Sequence, residues 1–471
     1  MRGLLLGLLL VASGARATAA GVPETPAGRE LVSFLESYNA RRLDEERWKR
    51  WFSIYGPLEV KQVAASADTD LSVWAQGGLT GGWVKLRIVL EEAPPHKLDG
   101  IGVTTGYLPE MAFAQAPLTE RRLVEEAGSY LDRLAAEDYF SGTVLIARHG
   151  KPILARAWGQ ASRRHGVPNG IETKYNLGSL TKVFTAVAVA KLVDEGRLRF
   201  DDTIAGRLPG YASRIADRAT IHQLLTHTSG TGRGAFHAQA FSDRQRHSVS
   251  DLLAMTIAPP DFEPGTGVRY SNEAWIILAA IIEKASGMDY DTFVRKNVYD
   301  PAGMKDSGPF EADQDTPGVA TGYTRWRWHG DRNFTFEDGP RRSNDFMRAL
   351  KGNPSCCSYA TAPDLLRFAN ALLENRLLSA GTTQTLLAEH VWQPEYPGAA
   401  GREGYAYGFE LVKVGDVLRV GKAGSIDGVS TRLDIYPALG YTVIVLSNYD
   451  SIAHLIVADH LGTLVMATRG R

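Results

Sequence analysis

Residues 176–188 read NLGSLTKVFTAVA: a hydroxyl at Ser179, a primary amine three positions on at Lys182, then small and apolar residues. Gly178 permits a close turn, and Ser179 stands where the helix predicted over VFTAVAVAKLVDEG begins. Positions three apart share a helical face, so Lys182 leans back toward the Ser179 hydroxyl. In an apolar pocket lined by cations, a lysine amine loses proton affinity and becomes a base. Taken alone, Ser-x-x-Lys is expected about once by chance in a chain of this length. It fits a helix start with a surface lysine equally well.

Two further stretches change that balance. In FEPGTGVRYSNEAW, residues 262–275, Tyr270, Ser271 and Asn272 stand between a Pro-Gly turn and a predicted helix. A tyrosine held there relays a proton between nucleophile and leaving group, and an asparagine amide accepts from a lysine while donating to a substrate carbonyl. Asn272 also suits an ordinary cap on the helix that follows. In VGKAGSIDGVSTRL, residues 420–433, Lys422 and Gly424 fall at the exposed end or edge of a strand. The amine attracts an anionic substrate group. Gly424 lets substrate lie along the backbone. The Ser425 amide joins that of Ser179 in an oxyanion hole. Strand alternation from Ser425 puts Asp427 on the same side, bordering the cleft, where it repels a substrate carboxylate and favours a neutral or amine-bearing group. Gly428 after it also fits a plain turn.

The ordered set SLTK, YSN and KAG, with THTSG at 226–230 and TAPDLLRFANALLENRLLS at 361–379, resembles the serine beta-lactamase and penicillin-binding protein superfamily over about residues 125–466. It is most similar to the branch of class C beta-lactamases, D-alanyl-D-alanine carboxypeptidases, D-aminopeptidases and related esterases. The resemblance implies an α+β, beta-lactamase/transpeptidase-like fold, with a helical subdomain and an antiparallel sheet flanked by helices. It makes Ser179 the acylated nucleophile and Lys182 its partnering base. Tyr270 and Asn272 match the second motif, and Lys422 and Gly424 the third. No cofactor and no metal are implied. The expected activity is a serine acyl hydrolase working through a covalent acyl-enzyme on a small ester or amide. The alternatives are a D-alanyl-D-alanine carboxypeptidase or weak class C-like beta-lactamase, and a catalytically silent penicillin-binding or sensor protein. Ala423 departs from the pattern, since many relatives carry threonine there. The missing hydroxyl weakens the hold on a substrate carboxylate by roughly 1.5–3 kcal/mol, unless Ser425 supplies a donor.

The periodicity elsewhere agrees with that fold. GTVLIARHGKPILARAW reads as a hairpin turning at His149-Gly150, and strands return only in DVLRVGKAGSIDGVSTRLDIYP and GYTVIVLSNYD before a closing helix. One antiparallel sheet assembled from both ends of the domain, with helices over it, is predicted. Between Asp300 and Cys356 the chain is irregular and rich in Gly, Pro, Asp, Arg and aromatics, which suits a lid or binding surface.

Upstream, residues 25–110 read as a small α+β module: Leu31, Phe34, Leu35 and Tyr38 at helical spacing, a second face of Leu43, Trp48, Trp51 and Phe52, then strands in LEVKQVAA, LSVWAQ, WVKLRIVLEE and HKLDGIGVTT. It resembles NTF2-like or cystatin-like modules. Residues 111–124 are a predicted linker. Residues 1–20, MRGLLLGLLLVASGARATAA, have the pattern of a cleaved secretory leader. The apolar run is shorter than the roughly 20 residues a membrane span needs, so a periplasmic or secreted protein with no transmembrane segment in the mature chain is expected.

A net charge of -1, from 52 basic and 53 acidic residues, provides no basic surface for nucleic acid. The expected partner is a small-molecule or short-peptide substrate. His222 and His227 have no acidic third ligand between them, so a metallohydrolase is not expected. The only cysteines, Cys356 and Cys357, are adjacent, closer than the usual bridged range. Two small core residues are the favoured reading, with joint oxidation in an oxidising compartment as the alternative.

Overall fold

The computed structural model describes residues 21–469 except 107, 114–115, 235–244, 330–333, 338, 346–348, 395–398 and 451–452. The expected leader therefore lies outside the described residues. Helix α1 (Pro26–Asn39) starts where the Thr25 hydroxyl accepts from the Gly28 amide, with proline in the first turn. After α2 (Glu46–Tyr55) come β1 (Leu58–Ser66), β2 (Asp70–Gly77), β3 (Trp83–Leu90) and β4 (Leu98–Thr104), an antiparallel sheet in sequence order. Leu31, Phe34 and Leu35 of α1 and Trp48 of α2 pack on Val73, Leu86 and Ile88 of its inner strands. Ile456, from the far end of the chain, completes that core.

Helix α3 (Glu120–Ala136) begins at Glu120, within the last residues of the 111–124 stretch. The cause is local: the Thr119 hydroxyl accepts from the Arg122 amide, and Leu123 is already buried. The hairpin of β5 (Gly142–Arg148) and β6 (Lys151–Trp158) turns through His149 and Gly150, both at positive φ (46° and 74°), as a tight two-residue hairpin turn demands. Helices α4 (Lys182–Asp194), α5 (Glu273–Ser286) and α6 (Ala362–Leu373) fill the middle of the domain. Then follow β7 (Val391–Trp392), β8 (Gly401–Tyr405), β9 (Glu410–Val414), β10 (Val417–Ile426), β11 (Val429–Tyr436), β12 (Tyr441–Ser447) and α7 (Ala458–Met466).

These strands form one eight-stranded antiparallel sheet in the order β7-β8-β9-β10-β11-β12-β5-β6. β12 closes it onto β5, pairing Ile444 with Leu145 and Leu446 with Thr143, so the predicted two-ended sheet is present. Leu145, Ala147, Ile444 and Leu446 face α4, α5 and α6. Their neighbours Val144, Ile146, Val443 and Val445 face α3 and α7. Covered on both sides, these strands have no polar face to show, which is why GTVLIA and YTVIVL run apolar without alternation. The α+β, beta-lactamase/transpeptidase-like architecture follows: helices, sheet, helices.

Ile456 gives a test of how the N-terminal module is held. Its δ-carbon and the Tyr55 ring both crowd Gly82. Truncating Ile456→Ala is expected to cost about 2–4 kcal/mol and to expose the module to proteolysis first. Chemical denaturation and the order of tryptic cleavage read this; cleavage of both domains at unchanged rates would contradict it.

Candidate active site

The site begins with an edge. β10 pairs with β9 only as far as Glu410 opposite Gly421, whereas its pairing with β11 continues to Ile426 opposite Val429. From Lys422 onward one edge of β10 carries no neighbouring strand, and the 3-10 turn Gly178–Thr181 packs onto it. A β-carbon on Gly424 would lie 1.9 Å from the Leu177 carbonyl oxygen. Thr431 Oγ1 donates to that same oxygen at 2.8 Å. Gly424 is therefore required by the approach of the chain's own Ser179 turn. Gly178, at φ 54°, touches the other side of the contact: a β-carbon there would lie 2.9 Å from the Ser425 nitrogen. The Ser179 turn and the Ser425 backbone are thus neighbours.

Across this contact the polar groups converge. Lys182 Nζ donates to Ser179 Oγ at 3.2 Å, to Asn272 Oδ1 at 2.8 Å and to the Ser355 carbonyl at 2.5 Å. Tyr270 Oη donates to Ser179 Oγ at 2.8 Å. Asn272 occupies the N-cap of α5 without capping it, because its carbonyl oxygen faces Lys182. Ser271 Oγ accepts from the Ala274 amide at 3.2 Å in its place, which corrects the plain Asx-cap reading.

Electrostatics follow from burial. Lys182 is 0% exposed. That burial, reinforced by Lys422, holds its amine well below the ordinary lysine range. Tyr270 is 36% exposed, but its hydroxyl points down onto Ser179. Burial there raises its pKa, with the Ser179 hydrogen bond opposing. The ring stands between two amines, Lys182 Nζ and Lys422 Nζ, each 5.0 Å from its centroid.

Lys422 is itself buried, and its Nζ donates to Glu410 Oε1 at 2.7 Å. Glu410 Oε2 accepts from Arg432 at 2.9 Å. Burial alone would raise this carboxyl, yet Lys422 and Arg432 bring it down to about 2. Glu410 is absent from the sequence reading. A signal exists: the Gly415-Asp416 turn between β9 and β10 sets a register that puts Glu410 opposite Gly421, beside Lys422.

His227, weighed in the sequence only as a metal ligand, supports Tyr270. Its ring lies 4.6 Å from that of Tyr270, and its Nδ1 accepts from the Ser271 amide at 3.2 Å. Burial, then Lys422 and Lys182, keep it neutral, as an accepting Nδ1 requires. His222 bonds Tyr407 Oη at 2.9 Å. Among the described residues no cluster of three or more His, Cys, Asp or Glu is arranged to hold a metal ion.

Beside Ser425 a cavity of about 520 Å³ opens, lined among others by Asp427, Cys357, Tyr359, Trp326 and, from α2 of the N-terminal module, Arg50. The Arg50 guanidinium lies 4.4 Å from the Trp326 ring centroid. Glu46 of the same helix accepts from the Phe336 amide, on the strand paired with Trp326. Asp427 is both a turn residue, preceding Gly428 at φ 75°, and a wall of the cavity. Burial and the nearby Asp450 push its carboxyl up to about 6, against Arg50.

Cys356 and Cys357 form a disulfide, which overturns the expectation of two unbonded core residues. Asn353 and Cys356 exchange backbone hydrogen bonds in a tight turn, and Cys357 takes a left-handed φ of 77°. The chain is not extended here, so consecutive side chains do not point to opposite sides.

Glu410 supplies a test at low pH. Its folded pKa lies below the ordinary value of 4.5, so its stabilisation is complete above that value and is lost as pH falls through about 2. Glu410→Gln should remove that acid dependence. It should also destabilise the protein by about 3 kcal/mol at neutral pH, because buried Lys422 loses its carboxylate while Arg432 keeps only Asp434. Urea unfolding at a series of pH values reads both; an unchanged acid limb would contradict the assignment.

Comparison with known proteins agrees with this geometry. The family model described as Beta-lactamase matches residues 128–462. Penicillin-binding protein 4* of Bacillus subtilis (strain 168) is 29% identical over 327 residues, 67% of this chain and 70% of the relative. Esterase EstB of Burkholderia gladioli is 34% identical over 228 residues, 45% of this chain and 57% of that protein's length. The crystal structure of a penicillin binding protein from Bacillus halodurans superposes with a TM-score of 0.60 at 28% identity, covering 73% of this chain and 98% of the other. D-amino acid amidase from Ochrobactrum anthropi SV3 shares the fold, with a TM-score of 0.63 at 20% identity over 74% of this chain and 98% of its own. The chain belongs to the beta-lactamase family and is a serine acyl hydrolase.

Proposed function

We propose that the protein hydrolyses a small ester or amide through an acyl group carried on Ser179. The observation that carries this reading is the pair of contacts on Ser179 Oγ, which lies 3.2 Å from Lys182 Nζ and accepts from Tyr270 Oη at 2.8 Å; with its two N–H groups on Asn272 and Ser355, a neutral Lys182 turns its lone pair to that hydroxyl. A nucleophile needs a base within hydrogen-bond reach, and a lysine serves only when neutral. Burial of Lys182 supplies that condition. Lys182 takes the Ser179 proton as Oγ attacks the substrate carbonyl carbon. The amides of Ser179 and Ser425 hold the oxyanion. As the carbonyl re-forms, the bond to the leaving group breaks and Tyr270 passes it a proton. Water then attacks the acyl carbon and gives a proton to the Tyr270 oxygen, the acyl bond to Ser179 breaks as Lys182 returns the proton to Oγ, and the acid departs. Asn272 fixes Lys182, and Lys422 supplies positive potential. Neither step calls for a metal or cofactor.

On the substrate, the relatives named as esterase and as penicillin-binding protein point two ways. Ala423 and Asp427 favour the ester. Without a threonine hydroxyl at 423 and with a carboxyl at 427, a substrate carboxylate next to the scissile bond gains less here. The N-terminal module, residues 25–110, acts as an accessory wall to the cavity through Arg50, and the leader-like residues 1–20 direct the chain to the periplasm or outside the cell. No helix among the described residues is long and apolar enough to cross a membrane.

Two measurements test the proposal. Ser179→Ala should keep the fold and lose both turnover and the mass adduct formed with a fluorophosphonate; full activity in that variant would refute it. Comparing kcat/KM for a short neutral ester and a penicillin, the wild type should favour the ester. Ala423→Thr should improve the penicillin selectively, by roughly ten- to a hundredfold if one hydroxyl contributes about 1.4–3 kcal/mol. An equal response of both substrates would show that position 423 does not set specificity.

A further inference from the structure

The disulfide lies in the loop that covers the Lys182 amine. The Ser355 carbonyl accepts from Lys182 Nζ, and the Pro354 carbonyl from Thr185 Oγ1 at 2.9 Å. On the other side of the bridge, the Cys357 amide donates to the Gly178 carbonyl at 3.1 Å and the Ser358 amide to Thr181 Oγ1 at 3.0 Å. The Leu177 amide donates back to the Ser358 carbonyl at 2.8 Å. Residues 354–358 thus grip residues 177–185, which include Ser179 and Lys182, from both sides of the Cys356–Cys357 peptide. Cys357 holds a left-handed backbone, φ 77°, which a non-glycine residue leaves readily unless its surroundings fix it. The bridge is such a fixture, because it ties the two side chains across one peptide.

We propose that the Cys356–Cys357 disulfide is a positioning element for the base of the reaction: it fixes the Cys357 backbone and so keeps the Ser355 carbonyl on Lys182 Nζ and water away from that amine. This rests on the reading of Lys182 as the base. Opening the bond releases the loop. The other groups facing Lys182 come from elsewhere: Lys422 and Glu410 from β10 and β9, Glu273 from α5, and Tyr270 and Asn272 from the segment before it. His227 stands behind Tyr270. None belongs to the 354–358 loop, so the charges around the amine stay and only its carbonyl partner and its dryness change.

The sign follows. Lys182 works as a base only when neutral, so kcat/KM falls as pH drops through its pKa. Burial holds that pKa well below the ordinary lysine value, and admitted water lets it climb back. The acid limb of the rate profile therefore moves to higher pH when the bridge is opened.

The test uses the full chain and a trialkylphosphine. Phosphorus attacks one sulfur and the S–S bond breaks. Water supplies the oxygen of the phosphine oxide and the protons of two thiols. Cys357 lines the cavity and is 8% exposed, against 1% for Cys356, so the reductant enters from that side. The pH profile of kcat/KM for a neutral ester is compared between oxidised protein, reduced protein and the Cys356→Ser/Cys357→Ser double variant. Thiol titration of denatured samples confirms the redox state, and circular dichroism confirms the fold.

The expected result is an acid limb raised by about one pH unit, a roughly tenfold loss of kcat/KM on the acid side, reversed on reoxidation. A bridge that merely stabilises would lower activity alike at every pH and leave the limb in place, which would overturn the proposal. Two free thiols in the oxidised sample would overturn it as well. If fluorophosphonate fails to label Ser179 in oxidised protein, the acyl-hydrolase roles fall and this inference with them; labelling with an unmoved limb overturns this inference alone.

Discussion

Everything in the site depends on one backbone contact, the seating of the Gly178–Thr181 turn on the free edge of β10. With no side chain at Gly424, the Leu177 carbonyl comes within 1.9 Å of where a β-carbon would be, and Thr431 clamps the same oxygen. That contact joins the first helix of the helical layer to the sheet. It brings the Ser179 turn against the Ser425 backbone and aims Lys182 into the space between the layers. A glycine is needed because the approach is backbone to backbone, and no rotamer change can relieve a clash there.

The second constraint is charge. Two amines flank the Tyr270 ring, and only one has a carboxylate in contact. Lys422 has Glu410 at 2.7 Å, while Lys182 has neutral acceptors, the Asn272 and Ser355 oxygens and Ser179 itself. A buried amine surrounded by neutral acceptors and facing another cation gives up its proton, as Lys182 does. The difference between the two lysines is set by their neighbours. Their residue type is the same, and both are buried.

Two of the contacts between the N-terminal module and the hydrolase domain differ in their physics. At one, Ile456 buries apolar surface in the module's own core. At the other, α2 sets Arg50 over Trp326 and Glu46 on the Phe336 amide. The hairpin carrying Trp326 and Phe336 comes from the irregular span between Asp300 and Cys356, so the part of the chain that looked least regular forms the wall shared by both units.

What the sequence by itself determined is whatever short-range geometry carries. The i to i+3 spacing aims Lys182 at Ser179, the His149-Gly150 turn closes β5 on β6, and the unbroken apolar runs mark strands covered on both faces. These depend on local φ/ψ preference and side-chain period, which any window of the chain displays. What only the tertiary structure decided depends on pairs far apart in the chain or on backbone states without a pattern. Asn272 suited both a cap and a lysine partner until Lys182, 90 residues away, took its oxygen. Gly424 gave no sign in sequence that Leu177 packs against it. Arg50 had no visible link to a cavity beside Ser425. The cysteines favoured the unbonded reading because adjacent Cα atoms lie closer than the usual bridged range, and the turn that joins them, with a left-handed φ at Cys357, is held by long-range hydrogen bonds to the Ser179 segment. Local pattern specifies which elements form, and the free energy of packing them decides which side chains meet.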